Sequence, residues 1–197
     1  TASVFAAQIF AEGIARTGGL SSAQQLLLLD GSLCDAAIML LDITVRYEFE
    51  RAFHDERRQG EVGVSRLQEL MVQAQRRVWG EALVPDGEDP LFWASKLHFY
   101  ITDVSFYNFP YTFGFLLAMA LVQRFREQGP AFLPQYEEFL RATGSGSAEE
   151  VTQAALGEDI RRVEFWARSI RALEEPLARY ETLLEAGGGA QVPSAAR

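Results

Sequence analysis

Residues 98–115, HFYITDVSFYNFPYTFGF, hold the side chains of this chain best suited to chemistry. One of its two histidines, His98, lies here, together with eight aromatic residues in eighteen positions. Three of those rings are the phenols of Tyr100, Tyr107 and Tyr111. So many phenols suit a plain core poorly, because each buried hydroxyl needs a hydrogen-bond partner or costs desolvation free energy. The stretch reads as a pocket wall. Pro110 fits the first turn of a helix and Asn108 can cap it. Tyr107 and Tyr111, four positions apart, then point the same way from its mouth. Gly114 follows three residues later on that face and leaves space for a ligand or for another backbone to approach.

Each of these residues also has a plainer reading. His98, between Leu97 and Phe99, could be a hydrogen-bonded core histidine. Tyr107 and Tyr111 could anchor packing, Gly114 could be a contact between helices, and Asp103 could either orient His98 or close a turn. His54 stands four residues after Glu50, a spacing that could make a metal pair but more often makes a solvated ion pair on a helix face. Acidic runs such as Glu137-Glu138 and Glu174-Glu175 read as solvated helix faces.

Composition bounds what the chain can be. With 197 residues, 48% hydrophobic and 23% charged, it can bury a sizeable core. A formal charge of -9 without a basic run argues against a nucleic-acid or anionic-membrane surface. The longest apolar stretch, residues 111–122, is shorter than the roughly 18–20 residues a membrane span needs. A single cysteine, Cys34, excludes an internal disulfide and reads as a small buried hydrophobe, compatible with a reducing cytoplasm. The apolar N-terminus lacks the basic segment of a signal peptide.

The elements that must position the aromatic stretch follow from periodicity. Val4, Phe5, Ile9, Phe10 and Ile14 give residues 2–16 the spacing of a helix, ended by Thr17, Gly18 and Gly19. Ser21 or Ser22 can cap a second helix, whose apolar pattern runs past Phe53 for more than thirty residues; it is expected to be the longest. Ser65 opens a third. Residues 80–90 form a loop, followed by a short aromatic helix near residues 91–95. Residues 110–127 are apolar nearly all round and should be central. Pro130 starts a further helix, Ser147 caps the next, and residues 161–185 form a closing helix. The expected fold is all-α, with residues 1–185 as one unit and residues 186–197 as a disordered tail.

The run Phe106-Tyr-Asn-Phe-Pro-Tyr-Thr-Phe-Gly-Phe-Leu116, with His98-Phe-Tyr100 upstream, resembles the C-terminal signature of oligoendopeptidase F, a family of zinc metallopeptidases in the thimet-oligopeptidase superfamily. The likeness extends over roughly residues 1–185, through Thr1-Ala-Ser-Val-Phe5, Tyr47-Glu-Phe-Glu-Arg51, Gly60-Glu-Val, Leu140-Arg-Ala-Thr-Gly-Ser145 and Phe165-Trp166. It implies a multi-helix C-terminal portion of a zincin-like catalytic domain, half of a peptidase cleft. By resemblance His98, Tyr107 and Tyr111 face the catalytic zinc and support the tetrahedral intermediate, while Tyr100 and Gly114 line the substrate path. The implied partners are short peptide substrates and the missing N-terminal part of the same protein.

The metal motif itself is absent. A catalytic zinc site takes three protein ligands, often from His-Glu-x-x-His on a helix plus a later carboxylate. No such run occurs here, so no metal ligand is assigned. The resemblance implies that zinc serves the complete enzyme through ligands outside this chain, the third being a glutamate just before the residue matching Thr1. The family also carries an acid near the position of Ala7. Two functions follow as expectations: zinc-dependent endopeptidase action on short peptides, with this chain alone inactive, or a non-catalytic helical binding or degenerate peptidase module.

Overall fold

A computed structural model describes residues 1–16 and 18–187. The fold is all-α, and no strand occurs among the described residues. The chain forms two compact units, one of Thr1–Cys34 with Gly114–Arg197 and the other of Asp35–Phe113.

Helix α1 spans Ala2–Arg16. Thr17, expected to help stop it, lies outside the described residues; Gly18 and Gly19 follow with φ of 77° and 90°. Helix α2, Ser22–Ala37, opens on Ser21. The Ser21 hydroxyl accepts from Gln24 N–H at 3.3 Å, while Ser21 N–H donates to the Gln24 side chain at 2.9 Å. This reciprocal cap satisfies two orphan donors of the first turn. The long helix expected to follow is interrupted. A π-helical segment, Ile38–Asp42, separates α2 from α3, Ile43–Arg57.

In the unit of residues 35–113, α3 packs on α4, Val64–Trp79, around Val45, Phe49, Leu70, Met71 and Ala74. Helix α4 starts one residue earlier than expected, after Gly63, whose carbonyl accepts from Leu67 N–H at 3.1 Å. The short aromatic helix is a 3-10 turn, Phe92–Ser95, followed by another at Leu97–Phe99.

In the other unit, the part of α5 (Phe109–Gln128) from Gly114 onward buries Phe115 through Met119 together with Leu121 and Val122. It is central to that core, as its all-round apolar character predicts. Phe5 of α1 meets Phe125 edge-on at 6.1 Å and Tyr136 at 4.3 Å. Helices α6, Leu133–Ala142, and α7, Ala148–Leu156, follow; α7 opens on a capping box between Ser147 and Glu150. The closing helix is two helices, α8, Val163–Arg171, and α9, Glu174–Ala186. Pro176 explains the break. It has no N–H for the Ala172 carbonyl, and its ring crowds that carbonyl, so a helix cannot run through residues 172–176. Helix α9 carries order to Ala186; residues 188–197, the rest of the expected tail, lie outside the described residues.

Cys34 is exposed, against the expectation of a buried thiol. It lies on the outer face of α2, which keeps only Ala36 buried.

Candidate functional site

The aromatic wall is built on the α3–α4 core. Phe49 of α3 meets Phe99 at 5.2 Å, nearly edge-on, which fastens the Leu97–Phe99 turn and leaves His98 on its outer side. Upstream, the Gln75 side chain of α4 donates to Asp89 O at 2.8 Å and accepts from Asp89 N–H at 3.0 Å. That pair pins the start of the segment carrying the two 3-10 turns. Downstream, Tyr111 occupies the first turn of α5, with its N–H donating to Asn108 O at 3.1 Å. Thr112 fixes the same turn by donating its hydroxyl to Met39 O at 2.5 Å. The Met39 carbonyl belongs to the π segment, where the widened turn alters the helical ladder.

These supports bring His98, Tyr107 and Tyr111 together. His98 Nε2 lies 3.0 Å from Tyr111 Oη. The imidazole stacks on Tyr107 with ring centres 6.0 Å apart and an interplanar angle of 12°. Tyr107 and Tyr111 meet edge-to-face at 5.9 Å. Tyr107 and Tyr111 are 47% and 37% exposed, so neither residue is sealed into a core. Tyr107 is not part of α5; it reaches the same face from the turn before the helix.

The other predicted residues stand apart. Tyr100 is 54% exposed, and the ring contacts joining the other three do not extend to it among the described residues. Gly114 belongs to the unit containing α1; a side chain there would meet Thr1 Oγ1 at 3.4 Å and Thr1 N at 3.5 Å, ordinary packing distance. Asp103 takes φ of 68°, a left-handed turn position that aspartate tolerates, and makes no hydrogen bond to His98 among the described residues.

Sequence reasoning missed the residue beneath the wall. Glu50 does stand within ion-pair distance of His54, but it is buried rather than on a solvated face. It is 4% exposed, with Oε1 accepting from Phe106 N–H at 2.6 Å and Oε2 from Asn108 Nδ2 at 3.4 Å. His54 Nε2 is 4.0 Å from Oε1, and its ring lies 5.1 Å from that of Phe106. Phe106 has φ of 58°, which for a bulky residue costs on the order of 1–3 kcal/mol. Asn108, expected to cap α5, is fully buried; its Nδ2 faces Glu50 and its Oδ1 has no partner among the described residues.

Among the described residues no group of three or more His, Cys, Asp or Glu side chains could hold a metal ion. A catalytic zinc therefore does not fit the described residues, among which His54 with Glu50 supplies at most two ligands. No helix among the described residues is long and apolar enough to cross a membrane.

No family model matches the chain. It is 28% identical to the oligopeptidase PepF of Bacillus subtilis over 142 residues, which cover 72% of this chain and 21% of that protein. It is 29% identical to the protein named oligoendopeptidase F, plasmid, of Lactococcus lactis subsp. cremoris over 141 residues, or 71% of this chain and 23% of that protein. The crystal structure of oligoendopeptidase-F from Enterococcus faecium matches 94% of this chain with a TM-score of 0.80 at 25% identity, over 35% of its own length. The chain thus spans less than a quarter of the length of these curated relatives.

Proposed function

The chain belongs to the oligoendopeptidase F family, and from that premise we propose that it forms one wall of the cleft of a peptidase that hydrolyses short peptides. The observation that carries the reading is the 3.0 Å contact of His98 Nε2 with Tyr111 Oη on an exposed face, beside the Tyr107 ring. In peptide hydrolysis, water adds to the amide carbon and the carbonyl oxygen gains negative charge. The C–N bond then breaks and a proton passes to the departing amine. A wall that offers oriented donors to that oxygen lowers the barrier, because the donors gain strength as the charge develops.

The tautomer with the proton on Nε2 suits this role. His98 then donates to Tyr111 Oη, which polarises the phenol and leaves its own proton free for the substrate oxygen. Tyr107 supplies a second hydroxyl or holds the peptide backbone, and exposed Tyr100 offers a ring to peptide side chains. The chain's own part is to bind, orient and stabilise charge. Zinc and the group that activates water are assigned to residues of the parent outside this chain. The reading includes a cytoplasmic protein with peptides, rather than nucleic acid or membrane, as partners.

The test is incubation of the full-length parent with a panel of internally quenched peptides and with a folded protein, with products read by mass spectrometry. Cleavage at internal bonds of the short peptides, sparing the folded protein, is the expected result. Peptides that bind but stay intact would instead identify a non-catalytic binding module.

A further inference from the structure

We propose that Glu50 is the positioning residue of Tyr107, a buried carboxylate that clamps the chain on both sides of that tyrosine. The proposal rests on the peptidase reading for its consequence in turnover, and on geometry alone for the clamp.

Tyr107 cannot hold its own place. It is about half exposed, and the contacts described above reach only the rings of His98 and Tyr111. Its backbone is instead fixed through its neighbours. Glu50 Oε1 takes the N–H of residue 106, and Oε2 takes the side chain of residue 108. One carboxylate therefore grips the residues immediately before and after Tyr107.

Both grips have a reason to be there. Phe106 sits at φ of 58°, a conformation that a bulky side chain adopts only when its surroundings impose it. The short 2.6 Å bond to Glu50 Oε1 helps to impose it, and the Phe106 ring is held further between Tyr47 at 5.9 Å and His54 at 5.1 Å. Asn108 is fully buried, and its carbonyl accepts the Tyr111 N–H that starts α5. The clamp thus bears on Tyr107 from both sides. A glutamate serving only the α3 core would be a poor choice, because burying a carboxylate is unfavourable unless hydrogen bonds replace its water. Here those bonds all lead to the loop carrying Tyr107.

The experiment uses the full-length parent with Glu50→Ala, Glu50→Gln and Asn108→Ala, each alone and combined with Tyr107→Phe. Two quantities are read: kcat and KM on a quenched short peptide, and amide hydrogen exchange of residues 104–109. Glu50→Ala should speed exchange in that segment at least about tenfold while α4 stays protected. It should lower kcat about tenfold to a hundredfold with little change in KM, as expected when a donor is displaced by about 1 Å. Against Tyr107→Phe, the further loss should be within about twofold, because both changes act through one group. Glu50→Gln keeps an acceptor for Phe106 N–H, and the Asn108 carboxamide can turn its unpartnered Oδ1 toward the new amide. It should therefore recover most of the lost turnover. Asn108→Ala removes one grip without touching Glu50, so it keeps the question open to measurement even if Glu50→Ala does not fold.

Unaltered exchange in residues 104–109, or a loss in turnover that simply multiplies with that of Tyr107→Phe, would overturn the clamp. If the unmutated parent cleaves no peptide, the peptidase reading fails, and the exchange data still decide for or against the clamp.

Discussion

Tyr111 keeps its hydroxyl where packing has no use for it. The ring is 37% exposed and the oxygen is bonded to a histidine that itself lies at the surface. Substitutions away from buried groups seldom move stability by more than about 0.5 kcal/mol, so effects at His98, Tyr107 and Tyr111 should appear in turnover instead. His98→Ala should lower kcat about tenfold, less than loss of the Tyr111 hydroxyl, because the phenol survives but loses its orientation and polarisation. A fall in melting temperature with normal turnover per folded molecule would assign His98 to packing. Residue types pointed to this stretch as a pocket wall, since crowded phenols suit a core poorly, and the resemblance singled out His98, Tyr107 and Tyr111 within it. Glu50 was not legible. Reading along a helix sees neighbours at three and four residues, and its partners, Phe106 and Asn108, lie 56 and 58 residues away.

At the scale of elements, the sequence showed where helices run better than where they change type. Apolar spacing outlined α1, α4 and α5, and Ser147 marked the start of α7 through its pairing with Glu150. The π segment Ile38–Asp42 left no such trace, because its local composition is ordinary helical sequence and its support comes from Thr112, 73 residues on. Thr112→Val keeps the shape but removes the hydrogen bond to the Met39 carbonyl. It should destabilise by about 1–3 kcal/mol, read as a shifted denaturation midpoint with unchanged slope. Thr112→Ser, which retains the hydroxyl, should recover much of that. Equal losses in the two variants would mean that the methyl, not the hydrogen bond, is what counts. The break between α8 and α9 was available to a stricter reading, since Pro176 forbids the bond to Ala172.

For the molecule as a whole, part of the acid stands in ion pairs with arginines, and among the described residues no group of three or more His, Cys, Asp or Glu could hold a metal ion. Glu158 is the best placed of the paired acids. Burial pushes its carboxyl up, but hydrogen bonds from Arg124 and Arg168, each at 2.7 Å, outweigh that and hold it below the ordinary glutamate range. A carboxyl depressed in the folded state contributes stability above its unfolded value and loses that contribution as pH falls through its folded one. Wild type should therefore exceed Glu158→Gln by on the order of 1 kcal/mol at neutral pH, with the gap closing as the solution is acidified. A gap that widens toward acid pH would contradict this assignment.

The central claim is that this helical chain presents transition-state donors to a peptide, and kcat of Tyr111→Phe in the full-length parent tests it most directly, with the melting temperature taken on the same preparation. The substitution removes one hydroxyl and keeps the ring. Loss of one preorganised donor should cost on the order of 3 kcal/mol, about a hundredfold or more in kcat, with the melting temperature unchanged. Turnover within about threefold of wild type would contradict the account, because a donor engaged in the transition state cannot be removed at so small a cost.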